Sequence, residues 1–253
     1  MIKPDLIIIS PVSVDYPIWR GWIKKYNNFF EKVCFVWSET HRGLDVRGFV
    51  EGDLKDVKNI EYIYTTQWTP GKGDWANICM QEALKKSHAN SFLLLHQDLL
   101  IKNDKLLPTI LQDEQNQLIS FFEGVRGCTR FCPAFFLIHK DIYSQTSQDF
   151  SAGQVMWEGQ LTSVDHLGKI SVELLQIYPQ FKTLSDFGFL EPDDYEHIKG
   201  LAGCYHLLLE GKTPKQVVEI YPRFAVLNRQ ILACGEKIHP NWANLIQKIA
   251  ELL

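Results

Sequence analysis

Ser91-Phe-Leu-Leu-Leu-His96-Gln97-Asp98 is the stretch on which the fold turns. A run of apolar residues stops abruptly at an imidazole, an amide and a carboxylate. Short, continuous apolar runs bounded by polar residues mark strands covered on both faces, the kind found in parallel sheets flanked by helices. The pattern recurs upstream. Leu6-Ile-Ile-Ile9 stops at Ser10-Pro11-Val12-Ser13, Val33-Cys-Phe-Val-Trp37 stops at Ser38-Glu39-Thr40, and Ile60-Glu-Tyr-Ile-Tyr64 forms a third run. Between the first two, Trp19, Trp22, Ile23, Tyr26 and Phe30 recur at helical spacing and predict a helix over 16–30. The turn-rich Thr69-Pro-Gly-Lys-Gly-Asp74 precedes a predicted helix over 75–87, which Asp74 can cap. Strands alternating with helices predict parallel pairing through right-handed crossovers. The expected fold is therefore α/β, an open and mostly parallel sheet flanked by helices, with ligands bound beyond the strands' carboxyl ends.

Downstream of Lys102 the pattern changes. Leu118-Ile-Ser-Phe-Phe122 reads as a strand, a loop with Arg126, Cys128 and Arg130 follows, and Ala134-Phe-Phe-Leu-Ile138 is another strand. Leu167, Ile170, Leu174, Leu175 and Tyr178 share one face of a predicted helix over 164–178, and 193–209 and 242–253 also read as helical. The segment 41–59 is polar and glycine-dotted, and no element is assigned to it. With no internal repeat or low-complexity linker, one domain over 1–253 is expected. Within it, parts over 1–102 and 103–210 are expected, with 211–253 as a helical C-terminal extension.

Composition narrows the function. The 253 residues are 45% hydrophobic, enough for a substantial core, and 26 basic against 30 acidic residues give no broad positive field for a phosphate backbone. Nucleic acid is not an expected partner. Leu6 to Ile9 is far too short for a membrane span, which needs about 20 apolar residues, so a cytoplasmic chain without a transmembrane segment is expected. Cysteines 34, 79, 128, 132, 204 and 234 are scattered through apolar stretches, which favours buried thiols over disulfides. Cys128 and Cys132 lack the second ligand pair of a zinc site. No Gly-x-Ser-x-Gly elbow is present, no phosphate loop surrounds Lys72, and no glycine stands between Ser10 and Asp15 where a dinucleotide fingerprint needs it.

His96 and Asp98, two apart, point to the same side if the chain stays extended. Mg²⁺ or Mn²⁺ takes few protein carboxylates and completes its shell with phosphates, so such a sparse pair suffices. Alternatively, Asp98 caps a turn and His96 is hydrogen-bonded structure.

Several short motifs in order bear on the choice: Pro11-Val12-Ser13 after the first strand, Glu39 after the second, Gly73-Asp74-Trp75-Ala76-Asn77 opening a helix, and His96-Gln97-Asp98 after the fourth strand. Ala134-Phe-Phe-Leu-Ile-His139-Lys140-Asp141, Val164-Asp165-His166-Leu167 and Tyr195-Glu196-His197-Ile198-Lys199-Gly200 follow. Together they resemble the GT-A-fold glycosyltransferases of the family 2 type over roughly residues 5–205. The resemblance implies a GT-A-like (Rossmann-like) fold, with 1–102 as its nucleotide-binding half and 103–210 as its acceptor-side half, and a metal-dependent, inverting transfer from a nucleotide-sugar donor to a glycan or other hydroxyl acceptor. By the same resemblance Pro11, Ser13, Glu39, Asp74, Asn77 and Gln97 meet the nucleotide, and Asp98, with His96 and His197, holds Mn²⁺ or Mg²⁺. Asp165 is then the general base. Histidine stands where the family's Asp-x-Asp signature has its first aspartate. That departure supports the alternative of a non-catalytic nucleotide- or glycan-binding or scaffold protein on the same fold. Asp165 as a helix N-cap and His197 as an ordinary helical histidine also stay open. Trp68 and Trp157 are the tryptophans placed to stack on a base or sugar.

Overall fold

A computed structural model describes residues 3–10, 23–38, 47–65, 74–96, 99–112, 118–125, 128–164 and 167–197, together with 213, 215, 216 and 219. Its centre is a seven-stranded sheet in the order β10-β6-β7-β4-β1-β2-β3. The strands are β1 (Asp5–Ser10), β2 (Val33–Ser38), β3 (Ile60–Thr65), β4 (Ser91–His96), β6 (Leu118–Val125), β7 (Cys128–His139) and β10 (Lys182–Thr183). Four of the six pairings are parallel, and only those made by β7 with β4 and β6 are antiparallel. The fold is the expected mixed α/β type.

Both faces of the sheet are covered, which explains the unbroken apolar runs. On β1, Leu6 and Ile8 join Phe35, Leu93, Leu95, Phe135 and Leu137 on one face, beneath Ile23, Phe30, α1 (Arg47–Asp53) and α3 (Leu106–Gln112). Ile7 and Ile9 alternate to the other face with Val36, Leu94, Phe136 and Ile138, beneath α2 (Asp74–Lys86) and α5 (Gly168–Ile177). A strand buried on both sides has no polar position to spare. Cys34 and Cys79 are buried and free, and burial pushes both thiols up to about 12, which leaves them inert.

The foot of the sheet, opposite the strands' carboxyl ends, is tied by charge. Asp5 is fully buried, and its Oδ2 accepts from the backbone N–H groups of His88 at 3.0 Å and Ala89 at 3.3 Å. The carbonyls just before them are met by cations: Lys32 Nζ donates to Lys86 O at 2.6 Å and Lys140 Nζ to Ser87 O at 3.0 Å. This is the favourable sign at a helix C-terminus, so the α2–β4 connection is held from β1, from the residue before β2 and from the residue after β7. Two charge-assisted bonds at about 1.5–3 kcal/mol each, partly replaced by water, predict that Asp5→Ala costs about 2–3 kcal/mol in urea unfolding. Asp5→Asn, which keeps an acceptor oxygen, should lose about half of that. An Asp5→Ala chain as stable as wild type would contradict this account.

Several expectations need correction. The predicted helix over 164–178 begins only at Gly168, because Val164 closes β9 (Gln160–Val164), which pairs with β8 (Gly153–Trp157) in a hairpin. Residues 195–197 are not helical but form β11 (Tyr195–His197), antiparallel to β5 (Leu99–Ile101). Cys128 and Arg130 belong to β7 and not to a loop, and α1 occupies part of the unassigned segment 41–59. The rest of the expected C-terminal helical portion lies outside the described residues, apart from isolated positions.

The β6–β7 hairpin is longer than the sheet around it. β4 pairs with β7 no further than Leu95 opposite Phe135, whereas β6 and β7 continue to Val125 opposite Cys128. The register shifts after Ser120, next to Pro133, whose missing N–H cannot serve a ladder. Past that irregularity, five residue pairs project roughly 15 Å beyond the end of β4.

Candidate functional site at the carboxyl edge of the sheet

The carboxyl ends of four parallel strands lie side by side. Ile9 is level with His96, Ser10 with Trp37, and Ser38 with Thr65. The chain leaves this edge at Ser10, Ser38, Thr65 and His96, and α2 begins at Asp74 on the return. Pro11 and Ser13 follow the first of these exits in the chain, Glu39 the second, and Gln97 and Asp98 the fourth; those five residues and Asp165 lie outside the described residues. Of the remaining candidates, His96 ends β4, Asp74 opens α2, and Asn77 and His197 have described side chains.

The small β5–β11 ribbon supplies the most specific juxtaposition. Its register sets Tyr195 opposite Ile101, Glu196 opposite Leu100 and His197 opposite Leu99, the residue that follows Asp98. Residues directly opposite on antiparallel strands have Cα atoms about 5 Å apart. His197, expected on a helix, is instead carried by a strand to the start of β5.

The ribbon is fastened by a turn that local sequence patterns did not single out. Asp194 O accepts from the backbone N–H groups of Lys102 and Asn103, both at 2.9 Å, and its Oδ1 accepts from Asn103 Nδ2 at 2.6 Å. Its Oδ2 takes the Leu190 N–H at 2.8 Å, Lys102 Nζ reaches Pro192 O at 2.8 Å, and His197 N–H donates to Glu191 Oε1 at 2.9 Å. The Asn103 amide, then the Leu190 N–H, hold the Asp194 carboxyl below its ordinary value. Lys102 and Asn103 lie about ninety residues from their partners Pro192 and Asp194, so no local signal announced those bonds.

Asn77 also has a partner far along the chain. Its Oδ1 accepts the Phe150 N–H at 3.1 Å. Trp157 is half-buried and, with Val155, packs against Val164 and Val172. Trp68 lies outside the described residues. The N-cap of α5 is Leu167, without a side-chain cap, so Asp165 is not the capping residue of that helix.

Among the described residues, no group of three His, Cys, Asp or Glu side chains is placed to hold a metal ion. No helix among them is long and apolar enough to cross a membrane. A site built from Asp98 with His96 and His197 would pair a carboxylate with imidazoles, a donor set suited to Mn²⁺ and open to phosphate oxygens.

No protein-family model matches the chain, and no curated protein matches it in sequence. Solved structures do. A mannosyltransferase from Pyrobaculum calidifontis, solved in complex with GDP-Man and Mn²⁺, is 12% identical with a TM-score of 0.50, covering 99% of this chain and 80% of that one. The likeness is one of fold, and the fold is GT-A-like. The inositol-1-phosphate CTP transferase from T. maritima (14% identity, 72% of this chain and 85% of that one, TM-score 0.46) also matches. So does the glucosyl-3-phosphoglycerate synthase from M. tuberculosis (10% identity, 72% and 69%, TM-score 0.46). On the GT-A-like frame, β5 follows β4, the strand that ends at His96, and β11 pairs with it.

Proposed function

We propose that the chain is a GT-A-type transferase that moves a sugar from a nucleotide-diphosphate donor to an acceptor hydroxyl with the help of a divalent cation. The observation that carries this reading is the β5–β11 register, which sets His197 opposite the residue following Asp98 at the carboxyl edge of the sheet. The mannosyltransferase solved with GDP-Man and Mn²⁺ supports the choice of donor and cation class.

In this reading Pro11 turns the chain out of β1, and Ser13 and Glu39 contact the nucleoside, with Asp74 and Gln97 beside it. Asp98, His96 and His197 hold Mn²⁺ or Mg²⁺, which when bound offsets charge on the departing diphosphate. Asp165 accepts the acceptor hydroxyl's proton as the oxygen bonds to the anomeric carbon and the bond from that carbon to the diphosphate oxygen breaks, with inversion. The dense apolar packing beneath this edge gives these groups a rigid base, which is what orientation requires.

Calorimetry of the full chain with GDP, UDP and CDP, with and without Mn²⁺, followed by a donor-hydrolysis assay, tests the reading. Metal-dependent diphosphate binding with slow hydrolysis is the expected result. Binding that ignores the metal, or none at all, favours the non-catalytic binder to which the histidine at position 96 points.

A further inference from the structure

Asn77 was expected at the nucleotide, and its side-chain oxygen is turned elsewhere. It accepts the N–H of Phe150 at 3.1 Å, one turn into α2. One turn further along the same helix, Gln81 Nε2 donates to Gln148 O at 3.1 Å. The segment 148–151 is thus fastened to α2 at two points. Gln148 adopts φ +58°, a left-handed backbone uncommon for a non-glycine residue.

From this segment the bonding continues to the start of α5. Phe150 O accepts the Leu167 N–H at 3.3 Å, and Lys169 Nζ reaches Asp149 Oδ2 at 2.7 Å and Ser151 Oγ at 2.9 Å. Phe150 is buried against Tyr143, whose ring stands edge-on to Phe92 of β4, so the link also rests on the sheet. Leu167 is buried with φ +67°, strained for a side chain that is not glycine. Next to it Gly168 passes so close to Val164 that an added Cβ would lie 2.3 Å from the Val164 Cβ. Val164 and Gly168 are therefore pinched together, and Asp165 and His166, which lie outside the described residues, fall between them in the chain. Strain of this kind persists only where the surroundings over-determine it; here the fastening comes through Phe150.

We propose that Asn77 is a positioning residue for the acceptor side of the reaction: through Phe150 it fixes Leu167 and the start of α5, the anchor two residues after Asp165 in the chain. For its catalytic part this rests on the transferase reading. The helix proposed to stand beside the nucleotide thereby fixes the anchor of the residue proposed to meet the acceptor, and loss of the Asn77 oxygen loosens that anchor without touching the donor.

Amide hydrogen exchange on the full chain, paired with steady-state kinetics, tests it. Asn77→Ala should speed exchange at both the Phe150 and Leu167 amides by about tenfold, while the β1 and β4 amides keep their protection. Its kcat should fall about ten- to a hundredfold with the donor KM unchanged. Asn77→Asp, which keeps the accepting oxygen, should restore both. Faster exchange at Phe150 with Leu167 unmoved overturns the proposal, as does a raised donor KM that Asn77→Asp does not repair. Should Asn77→Ala fail to fold, the wild-type chain decides: matched protection of the Phe150 and Leu167 amides supports the link, and loop-like exchange at Leu167 overturns it. A wild-type chain that turns over no donor removes the transferase reading and leaves the exchange result to judge the positioning role by itself.

Discussion

Asp98→Ala is expected to lower donor turnover by about a thousandfold and to remove Mn²⁺-dependent nucleotide binding. β4 is buried from Ser91 to Leu95 and makes its last pairing to β1 at His96, so Asp98 follows directly on the end of the covered strand in the chain. In the proposed site Asp98 is the only carboxylate bound to the cation, and His96 and His197 are neutral donors. Removing it takes away the charge that makes a cation affordable beside imidazoles. A group that stabilises charge developing on a leaving group is worth about 10²–10³ in rate, and more when it also retains the ion. Isothermal titration of Mn²⁺ with GDP, beside a turnover assay, reads both effects. His96→Ala and His197→Ala should each weaken Mn²⁺ binding by about 10- to 100-fold and leave measurable turnover. An Asp98→Ala enzyme with wild-type turnover would end the assignment.

Asp165→Asn should leave the donor dissociation constant unchanged while kcat falls by about 10²–10⁴, the usual contribution of a positioned general base. The substitution keeps size and hydrogen-bonding reach but removes the site's capacity to take a proton. A donor-binding contribution is not expected, because the proposed role of Asp165, which stands in the chain between β9 and α5, is toward the acceptor. Wild-type activity should decline as pH falls through the base's pKa, and the variant's residual activity should be flat over the same interval. Retained turnover in Asp165→Asn rules out the base assignment, and weakened donor binding would move Asp165 to the donor side.

How far the sequence reveals this fold follows from how each element earns its burial. β1, β2 and β4 are covered on both faces, so their side chains are apolar without alternation and their limits are visible in the chain. β11 is three residues long and is held by Asp194, Asn103 and Lys102, bonds that span about ninety residues. No periodicity develops over three residues, and Tyr195-Glu-His197 was absorbed into the apparent helix that follows. The β8–β9 hairpin misleads for another reason: Met156 and Leu161 point outward and are 60% and 64% exposed, so its apolar residues do not sort into one buried face. α1 was obscured by Gly48 and Gly52, although Val50 and Leu54 are fully buried. At the site, residue types at the strand ends suggested a ligand edge, whereas the partners of Asn77 and His197 depended on pairings between distant segments.

The β6–β7 projection leaves this architecture one dimension open to change. Among the described residues, all of its ladder bonds beyond Leu95 run between its own two arms, and none is shared with a third strand. Trimming or extending it in matched pairs therefore alters the height of the rim beside the carboxyl edge while the seven-stranded platform stays as it is. Descendants of such a chain can exchange one clientele for another by insertion and deletion at that tip, without renegotiating the interior.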